Sequence, residues 1–159
     1  MLHPWCSASW HESNNGCRIW CVRAAAGQRL VNLSTLAVAG AGENTVIAGV
    51  VLAGSTPKRM LVRAVGPSLA QAGVTGFLAR PVLSLFQGLR LVAENAGVGT
   101  SPDAAAITLA GSEAGAFPLS AGATDAALLV HLAPGLYTAQ VSGADSATGF
   151  ALIEFYELP

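Results

Sequence analysis

From Arg29 onward the chain is a regular succession of short β-prone runs, each closed by a turn sequence. Glycine, proline, asparagine and aspartate punctuate the runs, and strands at roughly 8–15-residue spacing with little helix are typical of an antiparallel sandwich. We therefore predict an all-β, jelly-roll-like antiparallel β-sandwich of about eight strands with one or two short helices. The predicted strands span residues 30–35, 45–52, 59–65, 82–86, 89–94, 126–132, 136–142 and 150–156.

Local patterns add detail to three of these segments. The run 45–52 contains no charged residue and predicts a central strand that is buried on both faces. Residues 68–72 are predicted to form one helical turn capped by Ser68. Ser101 followed by Pro102 predicts the cap and first position of a short helix that ends near Gly111.

Charge is scarce in this chain. Charged residues make up 11% and hydrophobic residues 52%, whereas an ordinary soluble domain has roughly 25% charged residues. This composition argues against intrinsic disorder, and eight Lys and Arg against nine Asp and Glu give no basic footprint for nucleic acid. The longest apolar stretch, 45–54, is shorter than the about 20 residues that a spanning helix needs, so no membrane span is expected. The N-terminal residues carry no readable signal peptide.

The first residues differ in composition from the rest, because all three cysteines and all three tryptophans lie within residues 1–21. The shift predicts a boundary that separates a Cys- and Trp-containing leader, 1–26, from a β-sandwich domain, 27–159. We expect the leader to be poorly ordered, and one hypothesis is that it is translated upstream sequence not native to the domain. A zinc site is the other interpretation, although the spacing matches no familiar finger. Its candidate ligands are His3, Cys6, His11, Cys17 and Cys21.

His131 is the single histidine from residue 29 onward, and its neighbours Ser120 and Asp125 raise the question of a catalytic triad. No G-x-S-x-G motif exposes a nucleophile, so we predict no enzyme activity, no catalytic residue and no cofactor. The loop carboxylates show no calcium-loop spacing, and no metal ligand is assigned in the domain. These carboxylates are Asp103, Glu113, Asp125 and Asp145.

Two arginines of the predicted strand 59–65, Arg59 and Arg63, are four residues apart and so lie on the same face. They either bind a carboxylate of a partner or pair with Glu154 or Glu157 across the sheet. The sequence leaves both interpretations open.

Five segments resemble a known module: RLVNLST, MLVRAVGPSL, PVLSL, APGLYTAQVSG and TGFALIEFYEL. In this order they resemble a β-sandwich repeat or C-terminal module of large secreted or cell-surface proteins of environmental bacteria, Verrucomicrobia-like ones especially. From Pro81 onward the chain is also similar to the bacterial pre-peptidase C-terminal domain. The resemblance implies an extracellular accessory or structural module without catalytic residues. Related modules often carry several acidic residues near the fifth strand, whereas this chain has only Glu94 there, which argues against calcium binding.

The shortage of charge also bears on function. A sandwich of about 130 residues normally covers its surface with charged side chains, and extended neutral surface indicates contact with another subunit or domain. We therefore predict a non-catalytic structural or adhesive module, extracellular or at the cell surface. It is expected to assemble with itself or with sibling domains, a filament being one arrangement. The alternative is a carbohydrate- or ligand-binding accessory domain of a secreted enzyme, with a glycan as partner. That function needs exposed aromatic residues, which we predict to lie mostly inward.

Overall fold

The computed structural model describes residues 32–159. These residues form eight β-strands and one α-helix joined by turns and short 3-10 segments, which confirms the predicted all-β sandwich. The predicted leader, 1–26, and the first two residues of the predicted strand 30–35 lie outside the described residues. The strands are β1 (Asn32–Ala39), β2 (Val46–Leu52), β3 (Lys58–Val65), β4 (Pro81–Gln87), β5 (Arg90–Asn95), β6 (Ala126–Leu132), β7 (Gly135–Gly143) and β8 (Gly149–Glu157), and the helix is α1 (Ala104–Glu113).

The strands form two four-stranded sheets in which all paired strands are antiparallel. The first sheet has the order β1-β8-β3-β6 and the second has the order β2-β7-β4-β5. Contacts join β1 to β2 and β5 to β6. The edge strands β1 and β2 therefore lie along one side of the sandwich, and β5 and β6 lie along the other.

The core between the sheets is built by alternation, since every second side chain of a strand points to the same face. Tyr137, Ala139 and Val141 of β7 are buried, as are Ile153 and Phe155 of β8. A second apolar cluster lies on the outer face of the first sheet, where α1 packs.

The prediction of a central strand at 45–52 is wrong. Among the described residues, β2 pairs only with β7 and forms the edge of the second sheet. Ala48, Val50 and Leu52 face the core, whereas Val51 is 53% exposed. Because no layer of the described chain covers the outer side, the uncharged run reflects an apolar edge rather than two buried faces.

The predicted cap at Ser68 is also wrong, because a buried carboxylate binds this residue instead. The 3-10 segment Pro67–Ala72 has Gly66 as its N-cap. The Ser68 hydroxyl donates to Asp125 Oδ2 at 2.5 Å, and Asp125 Oδ1 accepts the backbone N–H groups of Gly66 and Ser68 at 2.8 and 3.2 Å. Ser120 N–H donates to Ser68 Oγ at 2.7 Å. This network joins the corner after β3 to the segment before β6.

Gly66 is required by close packing at the same corner. A Cβ at this position would lie 2.0 Å from the carbonyl oxygen of Leu78, and backbone atoms give way little. Pro67 follows at the first position of the 3-10 segment, where its fixed φ is favourable. The GPS sequence within MLVRAVGPSL therefore encodes a structural corner.

Helix α1 begins and ends later than predicted. Asp103, not Ser101, is its N-cap, and Ser101 Oγ accepts the N–H of Asp103 at 3.2 Å. The helix continues past Gly111 to Glu113, and Gly111 is buried on the inner side of the helix, near Arg63. The glycine is thus a packing position against the sheet rather than a helix terminus.

Candidate functional site

A groove of about 370 Å³ lies between α1 and the segment 116–122, on the outer face of the first sheet. Arg63 of β3 lines it from the sheet, and Ile107 and Thr108 line it from the helix. Phe117, whose side chain is 37% exposed, lines the opposite wall. A buried charged residue, Arg63, therefore forms part of the groove wall.

Arg63 is held by a cross-strand ion pair. It lies directly opposite Glu154 in the β3–β8 register, and the two residues are only 2% and 3% exposed. Arg63 Nε and Nη2 donate to Glu154 Oε2 at 2.8 and 2.5 Å. The hypothesis that Arg63 pairs with Glu154 across the sheet is confirmed, and its carboxylate partner is internal.

Aromatic side chains complete the surroundings of this pair. Arg63 Nη1 donates to the carbonyl of Phe117 at 2.8 Å, and its Cζ lies 4.6 Å from the centre of the Phe117 ring. The Tyr156 hydroxyl donates to Glu154 Oε1 at 2.8 Å. Burial, and then this hydrogen bond to a carboxylate, raises the pKa of Tyr156 to about 12. Tyr156 carries a sequence signal, since it shares a strand face with Glu154, whereas nothing in the sequence assigns Phe117 to the site.

The charges and polar atoms beneath the groove are already satisfied by one another. No buried side-chain nitrogen or oxygen within residues 32–159 lacks a hydrogen-bond partner. The charges of Arg63 and Glu154 thus balance each other. The groove offers a ligand mainly apolar walls, together with hydroxyl groups such as those of Thr108, Ser112 and Ser120.

The residues considered for a triad serve separate structural roles. Both carboxylate oxygens of Asp125 accept hydrogen bonds from the corner at Gly66 and Ser68. Ser120 Oγ accepts from the side chain of Gln71 at 2.7 Å. His131 is exposed on β6, opposite Arg59. The geometry needed for a nucleophile, base and orienting acid is not formed by these three side chains.

The remaining charged residues mostly form ion pairs at the surface. Arg59 binds Glu113 at the end of α1, at 2.9 Å, rather than Glu154 or Glu157. Glu157 instead binds Lys58 at 2.6 Å. Arg80 pairs with Asp145 in the same way. Of the two arginines singled out in the sequence, one is buried and the other lies at the edge of the helix.

Polar residues near β5 are likewise used internally. Glu94 accepts from the Ser84 hydroxyl at 2.7 Å. Asn95 Oδ1 accepts from Gly97 N–H and Ala127 N–H at 3.1 and 3.2 Å, which links the two sheets at this side. Within residues 32–159, no three His, Cys, Asp or Glu side chains are grouped as metal ligands would be. The five zinc-compatible residues of the leader lie outside the described part of the chain.

The aromatic residues are less uniformly inward than predicted. Tyr137, Tyr156 and Phe155 are buried. Phe117 and Phe150, by contrast, are 37% and 39% exposed. Two exposed rings on separate segments do not form the platform typical of a glycan-binding face.

Large apolar side chains are exposed on the uncovered parts of both sheets. On the outer face of the second sheet, Val51 lies directly opposite Leu136, and Phe86 lies directly opposite Leu91. Val51 and Leu136 are 53% and 60% exposed. The described chain places its one α-helix on the first sheet only, so this outer face carries no second layer within residues 32–159.

No helix of residues 32–159 has the length and apolar character needed to cross a membrane.

The described residues thus form an all-β sandwich of two four-stranded antiparallel sheets, and most of its charged side chains pair with one another. No family model matches the chain, and no curated protein matches its sequence. Among solved structures, it is similar to the pre-peptidase C-terminal domain of a collagenase from Bacillus anthracis, with 12% identity and a TM-score of 0.46. The similarity covers 78% of this chain and 88% of that one.

Proposed function

We propose that residues 27–159 form a non-catalytic structural or adhesive module of an extracellular or cell-surface protein. In this proposal the module assembles with copies of itself or with sibling domains through charge-poor surfaces, and a filament is one such assembly. The proposed location follows from the resemblance of the sequence segments to modules of large secreted bacterial proteins.

The observation that carries the proposal is the exposure of apolar side chains on sheet surfaces without a covering layer. Leu36 and Val38 on the first sheet, and Val51 and Leu136 on the second, are each at least half exposed. Contiguous apolar surface on a folded domain is typical of a contact with another protein. Few charged side chains oppose such a contact, because β1, β2 and β7 contain none.

The use of the polar groups supports a non-catalytic role. Asp125 and Glu154, the buried carboxylates of the described chain, bind groups of the same domain. Each accepts charge-assisted hydrogen bonds that stabilise the fold. A catalytic carboxylate would instead have to reach a substrate.

Static light scattering on the full chain, followed by electron microscopy, tests the proposal. We expect a mean mass above that of the monomer that rises with protein concentration, as mass action requires. Regular polymers would identify a filament, and discrete particles a closed assembly. A monomer at every concentration would contradict self-association.

A second candidate function, ligand binding, is favoured by the groove beside α1. Its apolar walls, the exposed Phe117 ring and nearby hydroxyl groups are features of small-ligand sites. A glycan array is the test, with Thr108→Tyr expected to block the groove and Leu109→Tyr, on the exposed part of α1, as its control. Binding that Thr108→Tyr abolishes would favour this function over the structural one.

A further inference from the structure

The two sides of the sandwich differ in how their edge strands are protected. On one side, β1 and β2 contain no charged residue and no proline, and each pairs with its neighbour in an unbroken register. On the other side, β5 carries Arg90 and Glu94 and its pairing with β4 contains a register shift. There, Asn95 Oδ1 also accepts a hydrogen bond from the backbone N–H of Ala127 in β6, which ties the two edges together.

Edge strands have one row of backbone N–H and C=O groups that their own sheet does not use. Natural proteins commonly protect such edges with charges, proline, bulges or a covering segment, because an open edge pairs with another strand. Among the described residues, β1 pairs only with β8 and has none of these features. The groups that it presents fit an extended chain segment rather than a small molecule.

Side chains next to this edge add apolar surface to the same contact. Leu36 and Val38 of β1 are 50% and 53% exposed on the outer face of the first sheet. Val38 lies directly opposite Phe150 of β8, which is also exposed. A strand added beside β1 would therefore bury side chains as well as satisfy backbone groups.

We propose that β1 is a homotypic interface, at which a second copy of this chain adds its own β1 in antiparallel orientation about a two-fold axis. The two first sheets would then form one continuous sheet across the dimer. This inference rests on the proposed self-association and specifies its surface and partner. It differs from a filament contact, because a two-fold contact closes on itself.

A second copy fits this edge because the edge is self-complementary. Opposite residues of an antiparallel pair share a face, so a two-fold axis at Leu36 sets it opposite the partner's Leu36, and Ser34 opposite the partner's Val38. All of these lie on the outer face of the strand. Because β2 lies beside β1 in the second sheet, the same contact brings β2 close to β2 of the second copy. Neither β1 nor β2 carries a charge that would have to be buried.

Sedimentation velocity on the full chain, over about a hundredfold range of concentration, tests the interface with two matched variants. Leu36→Lys places two lysines opposite each other across the axis, so we expect the dimer Kd to rise at least about tenfold. Leu109→Lys is the control, because Leu109 is 65% exposed on α1, which contacts β3 and β6 and lies away from β1, and its Kd should equal that of the wild type. Circular dichroism and the urea midpoint verify that both variants fold.

The outcomes separate this inference from the proposed function. A wild-type chain that stays monomeric contradicts both. If Leu36→Lys associates as strongly as a wild-type chain that does associate, the proposed function is retained and the β1 interface is overturned. Hydrogen exchange adds a further readout, since we expect β1 amides to lose protection on dilution. Full protection of those amides in the monomer would show that residues of the same chain cover the edge, and would overturn the inference.

Discussion

Arg63 and Glu154 are the residues whose chemistry is most demanding, because both are charged and almost fully buried. Breaking a buried ion pair by removing one partner typically costs about 3 kcal/mol or more, since the remaining charge lacks compensation. We therefore expect Glu154→Gln to lower the free energy of unfolding by about 3 kcal/mol. Urea denaturation of the variant and the wild type measures this difference.

A double variant serves as the control for that prediction. Arg63→Met with Glu154→Leu removes both charges together, so it should be less destabilising than Glu154→Gln alone. An equal loss in both variants would mean that packing at this position, and not charge compensation, determines the effect.

Tyr156 gives a prediction about pH. Its pKa is raised to about 12 by burial and by the hydrogen bond to Glu154, against an ordinary value of about 10 in the unfolded chain. The folded chain therefore retains this proton longer, and the associated stability is lost as pH rises from about 10 through 12. Tyr156→Phe has no such proton, so the stability advantage of the wild type over this variant should narrow across that range. Urea unfolding at several alkaline pH values measures it, and a constant difference would contradict the assignment.

Residues were predictable from the sequence where a strand pattern fixes their position. The sequence offered Glu154 as one of the alternative partners of Arg63, because both residues interrupt β-prone runs, and the strand register selects it. Phe117 could not be assigned, since it reaches Arg63 from an irregular segment whose path no periodicity describes. Ser68 was mistaken for a cap because its partner, Asp125, lies 57 residues away along the chain.

At the scale of elements, the corner at Gly66–Ser68 is the connection that joins the sheet to its loops. Asp125→Ala would leave the N–H groups of Gly66 and Ser68, and the Ser68 hydroxyl, without their acceptor. Each buried group left unsatisfied costs about 1–3 kcal/mol, so we expect a loss of about 3 kcal/mol or more in the free energy of unfolding. Chemical denaturation checks this.

Ser120→Ala is the matched control at this corner. It retains the backbone N–H that donates to Ser68 and removes only a hydroxyl bonded to the exposed Gln71 side chain. A change within about 0.5 kcal/mol is expected for such a surface site. If both variants lose the same stability, the hydrogen bonds to Asp125 do not stabilise the corner at Gly66–Ser68.

Strands were predicted well because alternation of buried and exposed side chains is local information. β6 matches its predicted range, 126–132, and β7 and β8 extend their predicted ranges by one residue at each end. The position of a strand within a sheet is not local, which is why β2 was misplaced. An uninterrupted apolar run looks the same whether it is covered on both faces or exposed at an uncharged edge.

At the scale of the whole molecule, covered and uncovered surfaces are distributed unequally. Helix α1 covers part of the first sheet, whereas the outer face of the second sheet and the β1–β2 side carry exposed aliphatic side chains. The described charges lie mainly on β3, on the turns and on the opposite edge. We therefore expect the charge-poor surfaces to be the ones that hold copies of this chain together.

The most direct test is the salt dependence of the sedimentation coefficient of the full chain at rising protein concentration. Contacts between exposed charges weaken with salt, because screening shortens their range, whereas apolar contacts and backbone pairing do not. We predict that the sedimentation coefficient rises with concentration to the same extent, or more, at high salt. A coefficient that remains that of a monomer throughout, or an association that high salt abolishes, would contradict the claim.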